Sequence, residues 1–362
     1  MTTIEEITSS FVKTYQNVIG NHDKIPLILN DPQYLAKLID CGEKRRLQNS
    51  DKFNTPVPRF CIFSVTWKCN LKCIGCYAKS YSSSGSLTVE DVYSIANQVS
   101  DFGCFIFIIA GGEPLTIPNL VETLAKVEGG LFFIFTNGTL ITDKIVNQLR
   151  NTKNIIPIIS IEGDSDFTNY RRGAGVSDKI SNAMKVLFDS QIGFGFSAMA
   201  THKNLKQVTS REWFEEIWSY GARFGFIIDY IPFQTDLDSS LILTQEDMEF
   251  KKNELLCRNT EAKPLVINFP PDEYGEDGCQ AAGKGFIHIN ADGFVEPCPF
   301  SHYASDNIKN KKIETILISP FFSEIRKRFN KEKFNGTCLL FEHDKVVGEI
   351  ASLTNAIKTD KV

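Results

Sequence analysis

The chain has 362 residues, of which 42% are hydrophobic and 23% charged, and it carries a formal net charge of −5. That length suits one large domain with a smaller one, and the mild acidity gives no footprint for nucleic acid. No apolar run reaches membrane-spanning length, and the opening M-T-T-I-E-E-I-T lacks the basic and apolar regions of a signal peptide. A cytoplasmic protein is expected. In that compartment ten cysteines point to metal binding rather than disulfides. The 28 phenylalanines suit a well-filled core and specify no function.

At the N-terminus, Ile4, Ile7, Phe11, Tyr15 and Val18 recur at helical spacing, and a second helix is predicted from Asp31-Pro32 to about Leu47. Residues 1–57 therefore read as a helical segment. Packing against the main domain is a commoner use for such helices than contact with lipid. Asn54 to Pro58 reads as a turn or extended linker. Phe60–Thr66 follows as an apolar strand, and straight after it Cys69, Cys73 and Cys76 stand in C-x3-C-x2-C spacing. Three thiolates on one loop cannot close a four-ligand zinc site alone. They can hold three irons of a [4Fe–4S] cluster and leave the fourth open. The alternatives are a zinc knuckle completed from elsewhere or plain buried thiols, although zinc loops usually show C-x2-C pairs.

Further apolar strands are predicted at Phe105–Ala110, Leu131–Thr136, Ile155–Ile161, Phe194–Ala200 and Phe226–Ile231. Helical patterns lie between them at Val89–Phe102, Pro118–Val127, Asp143–Leu149, Ser177–Ser190 and Ser210–Phe224. Thr88 is a good N-cap, with Glu90 and Asp91 in the first turn where the helix dipole favours acids. Such alternation predicts right-handed βαβ units and a parallel sheet. Ala110-Gly-Gly-Glu-Pro114 follows the second strand, Thr136-Asn-Gly138 the third and Ile159-Ser-Ile-Glu-Gly163 the fourth, with Thr168-Asn-Tyr-Arg-Arg-Gly173 shortly after.

The cysteine spacing with these strand-end motifs resembles the radical S-adenosylmethionine (radical SAM) family. The resemblance implies an α/β fold, a partial (β/α)6 TIM-like barrel, with the active site at the C-terminal strand ends. It also implies a [4Fe–4S] cluster on Cys69, Cys73 and Cys76 whose open iron is chelated by S-adenosylmethionine (SAM). Gly111, Gly112 and Glu113 would receive the SAM ammonium, and Ser160 and Glu162 would lie beside SAM. Arg172 would pair with its carboxylate, with Arg171 one residue away as a rival. Asn137 would line the site or build an Asn-Gly turn. Two departures stand out. The motif's usual acid is Asn169 here, and the aromatic that usually precedes the third cysteine is Gly75, with Tyr77 after it as an adenine-side contact or core residue.

After Pro232 the rhythm stops, and a helix is predicted near Gln245–Asn259. Phe286–Asn290 and Phe294–Glu296 flank Ala291-Asp-Gly293, a hairpin signal. Cys279 and Cys298 resemble the first half of a SPASM auxiliary-cluster domain, with only Cys338 remaining of its later cysteines. A shortened, Twitch-like α+β domain holding one auxiliary Fe–S cluster, expected as [4Fe–4S], is implied, against a small zinc ribbon as the alternative. Its fourth ligand is open among Cys257, a carboxylate, His288 and a substrate atom. Cys41, Cys61 and Cys104 read as core thiols.

The expected division is residues 1–57, 58–234 and 235–362. The resemblance implies an enzyme that cleaves SAM reductively to a 5′-deoxyadenosyl radical and abstracts hydrogen from a substrate, with electrons from a low-potential donor such as flavodoxin or ferredoxin. A peptide or protein substrate is expected first, and a small molecule such as a tetrapyrrole second. A non-catalytic Fe–S or zinc protein is the third reading.

Overall fold

The computed structural model describes residues 32–81, 85–232, 238–260, 265–273, 278–330, 332 and 338–360. The first predicted helix, Ile4 to Val18, lies outside them. In chain order the principal elements are α1 (Pro32–Phe53), β1 (Phe60–Thr66), α2 (Val89–Phe102), β2 (Ile106–Gly111) and β3 (Leu131–Thr136). Then come α3 (Asp143–Arg150), β4 (Ile155–Ser160), α4 (Ser165–Arg172), α5 (Val176–Asp189), β5 (Gly195–Ala200), α6 (Arg211–Ser219) and β6 (Phe224–Asp229). The remainder holds α7 (Gln245–Thr260), β7 (Leu265–Phe269), β8 (Phe286–Ile289), β9 (Val295–Glu296), α8 (Pro320–Arg328) and α9 (Asp344–Leu353).

These residues form two compact units. The early-strand unit comprises Gln33–Asn70, Tyr77–Ile134 and Glu276–Val362. Its strands lie in the order β3-β2-β1-β8-β9, parallel except for β9. With β2 on one side and β8 on the other, β1 is a central strand, and Cys61 to Thr66 are all buried. That explains its continuous apolar run. Helix α2 follows from its ends. Thr88 Oγ1 accepts from the Asp91 amide at 3.1 Å while Asp91 accepts from the Thr88 amide at 3.2 Å, a reciprocal capping box. Gly103 ends the helix at φ 112°, where a Cβ would stand 2.6 Å from the Arg46 backbone.

Of the described residues, the later-strand unit takes Pro32, Leu71–Cys76 and those within Phe135–Gly275. Its strands run parallel in the order β4-β5-β6-β7. Phe135, at the end of β3, meets Phe226 of β6 with ring centroids 5.1 Å apart, although β4 and β5 lie between those strands. The sheet in this unit is therefore curled, and these two rings lie on its concave face.

The six predicted strands all form, with ends shifted by at most two residues. Two pairings were not anticipated. Leu265–Phe269 adds a parallel strand beside β6, where the sequence rhythm had already stopped. The hairpin forms as expected, with His288 opposite Glu296, but its first strand also pairs parallel with β1, Phe60 to Phe286. Helix α6 ends at Ser219, short of the predicted Phe224. Gly221 turns the chain at φ 102°, and Phe224 begins β6 instead.

Packing can be tested at Phe196, which is fully buried and meets Trp213 edge-on at 5.2 Å. A Cβ at Gly225 would lie 2.2 Å from its ring, so no neighbour can readily close the gap. Phe196→Ala should cost about 3–5 kcal/mol, read as a lowered denaturation midpoint. An unchanged midpoint would contradict this packing.

Candidate active site and cluster ligands

In the later-strand unit the cysteine loop is tied to α4, the Ile74 amide donating to the Arg171 carbonyl at 2.9 Å. Cys73 is buried and Cys76 half-buried. Gly75 sits at φ +67°, and a Cβ there would stand 2.6 Å from the ring of Tyr230. The motif's usual aromatic is thus glycine because Tyr230, directly after β6, fills the adjacent space. Tyr230 was not singled out from the sequence; the bare glycine at an aromatic position was its signal.

Glu162, just past β4, is 1% exposed and is the charge centre of this unit. Its Oε1 accepts from Arg172 Nε at 2.8 Å, from Arg172 Nη2 and from Arg171 Nη1. Its Oε2 accepts from the Met199 amide at 2.9 Å. Burial pushes this carboxyl up, but Arg171, Arg172 and the amide outweigh it and hold it below its ordinary value. Burial pushes Arg172 down, and Glu162 with the Cys73 and Cys76 sulfurs raises it above its ordinary value. Both candidate arginines therefore converge on one carboxylate, with Arg172 close to the Cys73 and Cys76 thiols. Arg171 keeps a buried Nε with no hydrogen-bond partner among the described residues.

Asn169 Oδ1 accepts from the Ser177 amide at 3.0 Å, so the amide that replaces the motif's acid caps the start of α5. Asn137 Oδ1 accepts from the Thr139 amide at 3.0 Å, which builds the Asn-Gly turn, with Gly138 at φ 75°. Ser160 bonds Ser197 at 3.1 Å.

In the early-strand unit Cys69 is exposed. The two glycines after β2 lie flush against the chain leading to it. A Cβ on Gly111 would be 2.3 Å from the Thr66 carbonyl oxygen, and one on Gly112 would be 2.2 Å from that of Lys68. The Gly112 amide donates to Thr66 at 2.6 Å and the Glu113 amide to Lys68 at 2.8 Å. Only glycine fits such an approach. Glu113 is 1% exposed and accepts from the Leu115 amide at 3.1 Å. The Tyr77 hydroxyl bonds the Gly111 amide and Ser64, each at 3.1 Å.

Cys279, Cys298 and Cys338 are all buried in this same unit. Arg326 lines a small cavity with Cys279 and donates to the carbonyls of Ala282 and Leu317 at 2.9 and 2.8 Å. Burial brings this guanidinium down to about 10. A part-buried cation held by carbonyls beside a thiol suits an anionic cluster. Among the candidate fourth ligands, His288 already uses both ring nitrogens, on Ser64 and Glu296. Cys257 is exposed on α7 in the later-strand unit. Cys61 and Cys104 are core thiols as expected, but Cys41 is exposed on the outer side of α1. Among the described residues no three His, Cys, Asp or Glu side chains gather closely enough for a single metal ion. Cluster thiolates bind separate irons and need not converge on one point. The thiol sets and the glycine cradle thus fit a cluster and a small ligand.

The ion pair gives a signed pH prediction. Because the folded Glu162 carboxyl lies below its ordinary value, its contribution is full above about pH 4.5 and is lost as pH falls through the lower folded value. Glu162→Gln leaves two part-buried guanidinium groups without their carboxylate, so it should cost about 3–5 kcal/mol at neutral pH. The gap from wild type should shrink in acid. A gap that widened in acid would contradict the pairing.

Comparison with known proteins gives the family and the fold. Residues 63–225 match the Radical SAM superfamily, and residues 279–340 match the SPASM iron–sulfur cluster-binding domain. The AdoMet-dependent heme synthase of Methanosarcina barkeri is 27% identical over 81% of this chain and 90% of its own. The subtilosin biosynthesis protein AlbA of Bacillus subtilis is 23% identical over 89% of this chain and 74% of its own. A crystal structure of Streptococcus suis SuiB bound to S-adenosylmethionine superposes with a TM-score of 0.65 at 19% identity, over 78% of this chain and 71% of that one. That likeness shows the partial-barrel fold. The chain is therefore a member of the radical SAM superfamily with a SPASM iron–sulfur domain, an enzyme whose cofactors are S-adenosylmethionine and [4Fe–4S] clusters.

Proposed function

We propose that this radical SAM enzyme acts on a porphyrin-class small molecule. The concave wall of the later-strand unit carries the reading. Ser197, Phe226 and Ile267 share one cross-strand row, and Met199, Ile228 and Phe269 the next. Phe135 meets Phe226 on that face. These side chains are apolar or hydroxyl-bearing, and rows of aromatic and aliphatic groups suit a large flat apolar ring. The similarity to the heme synthase supports the same class. A second reading, peptide maturation, is favoured by the similarity to AlbA. Both substrate classes were expected from the sequence, with the peptide first; the apolar wall supports the small-molecule one.

When bound, S-adenosylmethionine and its cluster would supply one-electron chemistry for hydrogen-atom abstraction from the substrate. The chain's own residues hold and orient. Cys69, Cys73 and Cys76 ligate the SAM cluster, and Cys279, Cys298 and Cys338 ligate the auxiliary one. Gly111, Gly112 and Glu113 receive the SAM ammonium, and Arg172, with Arg171 beside it, meets the carboxylate. Tyr77, Asn137, Ser160 and Glu162 complete the surround. A low-potential flavodoxin or ferredoxin in the cytoplasm supplies the electron. Among the described residues no helix is long and apolar enough to cross a membrane.

Two outcomes test this reading. With Cys69, Cys73 and Cys76 all changed to Ala, anaerobically reconstituted protein should keep about half the wild-type iron. Complete loss of iron, or zinc in its place, would contradict two separate clusters. Iron coproporphyrin added to the wild type should shift its Soret band on binding, and Phe226→Ala should weaken that binding about tenfold, roughly 1.4 kcal/mol. Turnover of SAM with no Soret shift would reject the porphyrin reading and leave the peptide one.

A further inference from the structure

A file of buried polar groups in the early-strand unit belongs to neither cluster. Glu296 and His288 are both fully buried, and His288 Nδ1 bonds Glu296 Oε2 at 2.6 Å. Three more groups donate to the same carboxylate: Tyr81 at 2.8 Å, Asn290 at 2.7 Å and Thr359 at 2.5 Å. A carboxylate only accepts, so Nδ1 carries a proton, and in the neutral imidazole Nε2 is then the acceptor. Ser64, fully buried on β1, lies 2.8 Å from that Nε2 and 3.1 Å from the Tyr77 hydroxyl. The Gly111 amide donates to the same hydroxyl at 3.1 Å.

With a neutral imidazole, these contacts form a single donor chain. Gly111 N–H donates to Tyr77, Tyr77 O–H to Ser64, Ser64 O–H to His288 Nε2, and His288 Nδ1–H to Glu296. A buried chain of this kind costs desolvation that apolar side chains of the same size would avoid, so its value lies in geometry. It crosses from the hairpin strands β9 and β8, between Cys279 and Cys298, over β1 to the end of β2. Its last donor is the first glycine of the loop packed against Thr66 and Lys68. Its tyrosine directly follows Cys76.

We propose that Glu296 and His288 are positioning residues that, acting through Ser64 and Tyr77, fix the Gly111–Glu113 loop in its SAM-binding register. The chain thereby links the fold around the auxiliary cysteines to the SAM site without touching substrate or cofactor at its inner end. The inference rests on the reading that Gly111–Glu113 holds SAM.

The test uses reconstituted holoenzyme and two readouts other than turnover. One is amide exchange at Gly111, and the other is SAM titration followed by the electron paramagnetic resonance signal of the reduced cluster. Tyr77→Phe, Ser64→Ala and His288→Phe should each speed Gly111 exchange and each raise the SAM Kd about fivefold, the size of one lost hydrogen bond. The double variant Tyr77→Phe with His288→Phe should be no worse than either single, since both cut the same chain. Iron content should stay at the wild-type level in all of them. Ser64→Ala removes one oxygen and carries the test if His288→Phe does not accumulate. Effects that multiply in the double variant, or a His288→Phe protein unchanged in both readouts, would overturn the proposal. Faster Gly111 exchange with an unmoved SAM Kd would keep the tether but reject the glycine loop as a SAM contact, which separates failure of the underlying reading from failure of the chain.

Discussion

A buried carboxylate must be saturated, and each unit of this protein is arranged around one that is. In the later-strand unit Glu162 answers two arginines and a backbone amide. In the early-strand unit Glu296 answers four hydrogen-bond donors, none of them an arginine or lysine. The difference in partners is a difference in use. Glu162 holds two guanidinium groups at the strand end beside Cys73 and Cys76, where we place the carboxylate of SAM. Glu296 has spent its charge on hydrogen bonds, so what it passes on is orientation.

The cysteine loop shows how local chain geometry serves the same end. It is anchored through Ile74 to Arg171, the residue next to the second arginine of the pair. On the early-strand side Thr66 and Lys68 accept from the glycine loop at distances that leave no room for a side chain. A barrel can hold a loop of thiolates rigidly only if the neighbouring loops are pinned to it by the backbone, since side-chain contacts alone leave rotamer freedom.

Much of this was legible in the sequence because it rests on spacing and periodicity. The C-x3-C-x2-C loop, the Gly-Gly-Glu-Pro turn, six strands and their helices follow from local pattern. The β7 strand was missed because Leu265–Phe269 is five residues long and follows residues without a helical or strand period. The pairing of β8 with β1 was missed because a hairpin signal specifies one neighbour of a strand and is silent about its other edge. Tyr230 against Gly75, and the Ser64–His288 and Tyr81–Glu296 links of the buried chain, join residues more than a hundred positions apart, which no window can see. Asn169 shows the reverse case, where the departure from a motif was visible but its consequence, an intact helix cap, required the structure.

Strand ends that present SAM to a cluster should support its reductive cleavage. The most direct measurement is to reduce the anaerobically reconstituted enzyme with dithionite in the presence of SAM and quantify methionine and 5′-deoxyadenosine. Equal amounts of the two, formed only with reductant, are the result predicted. A fully reduced cluster beside intact SAM would contradict it.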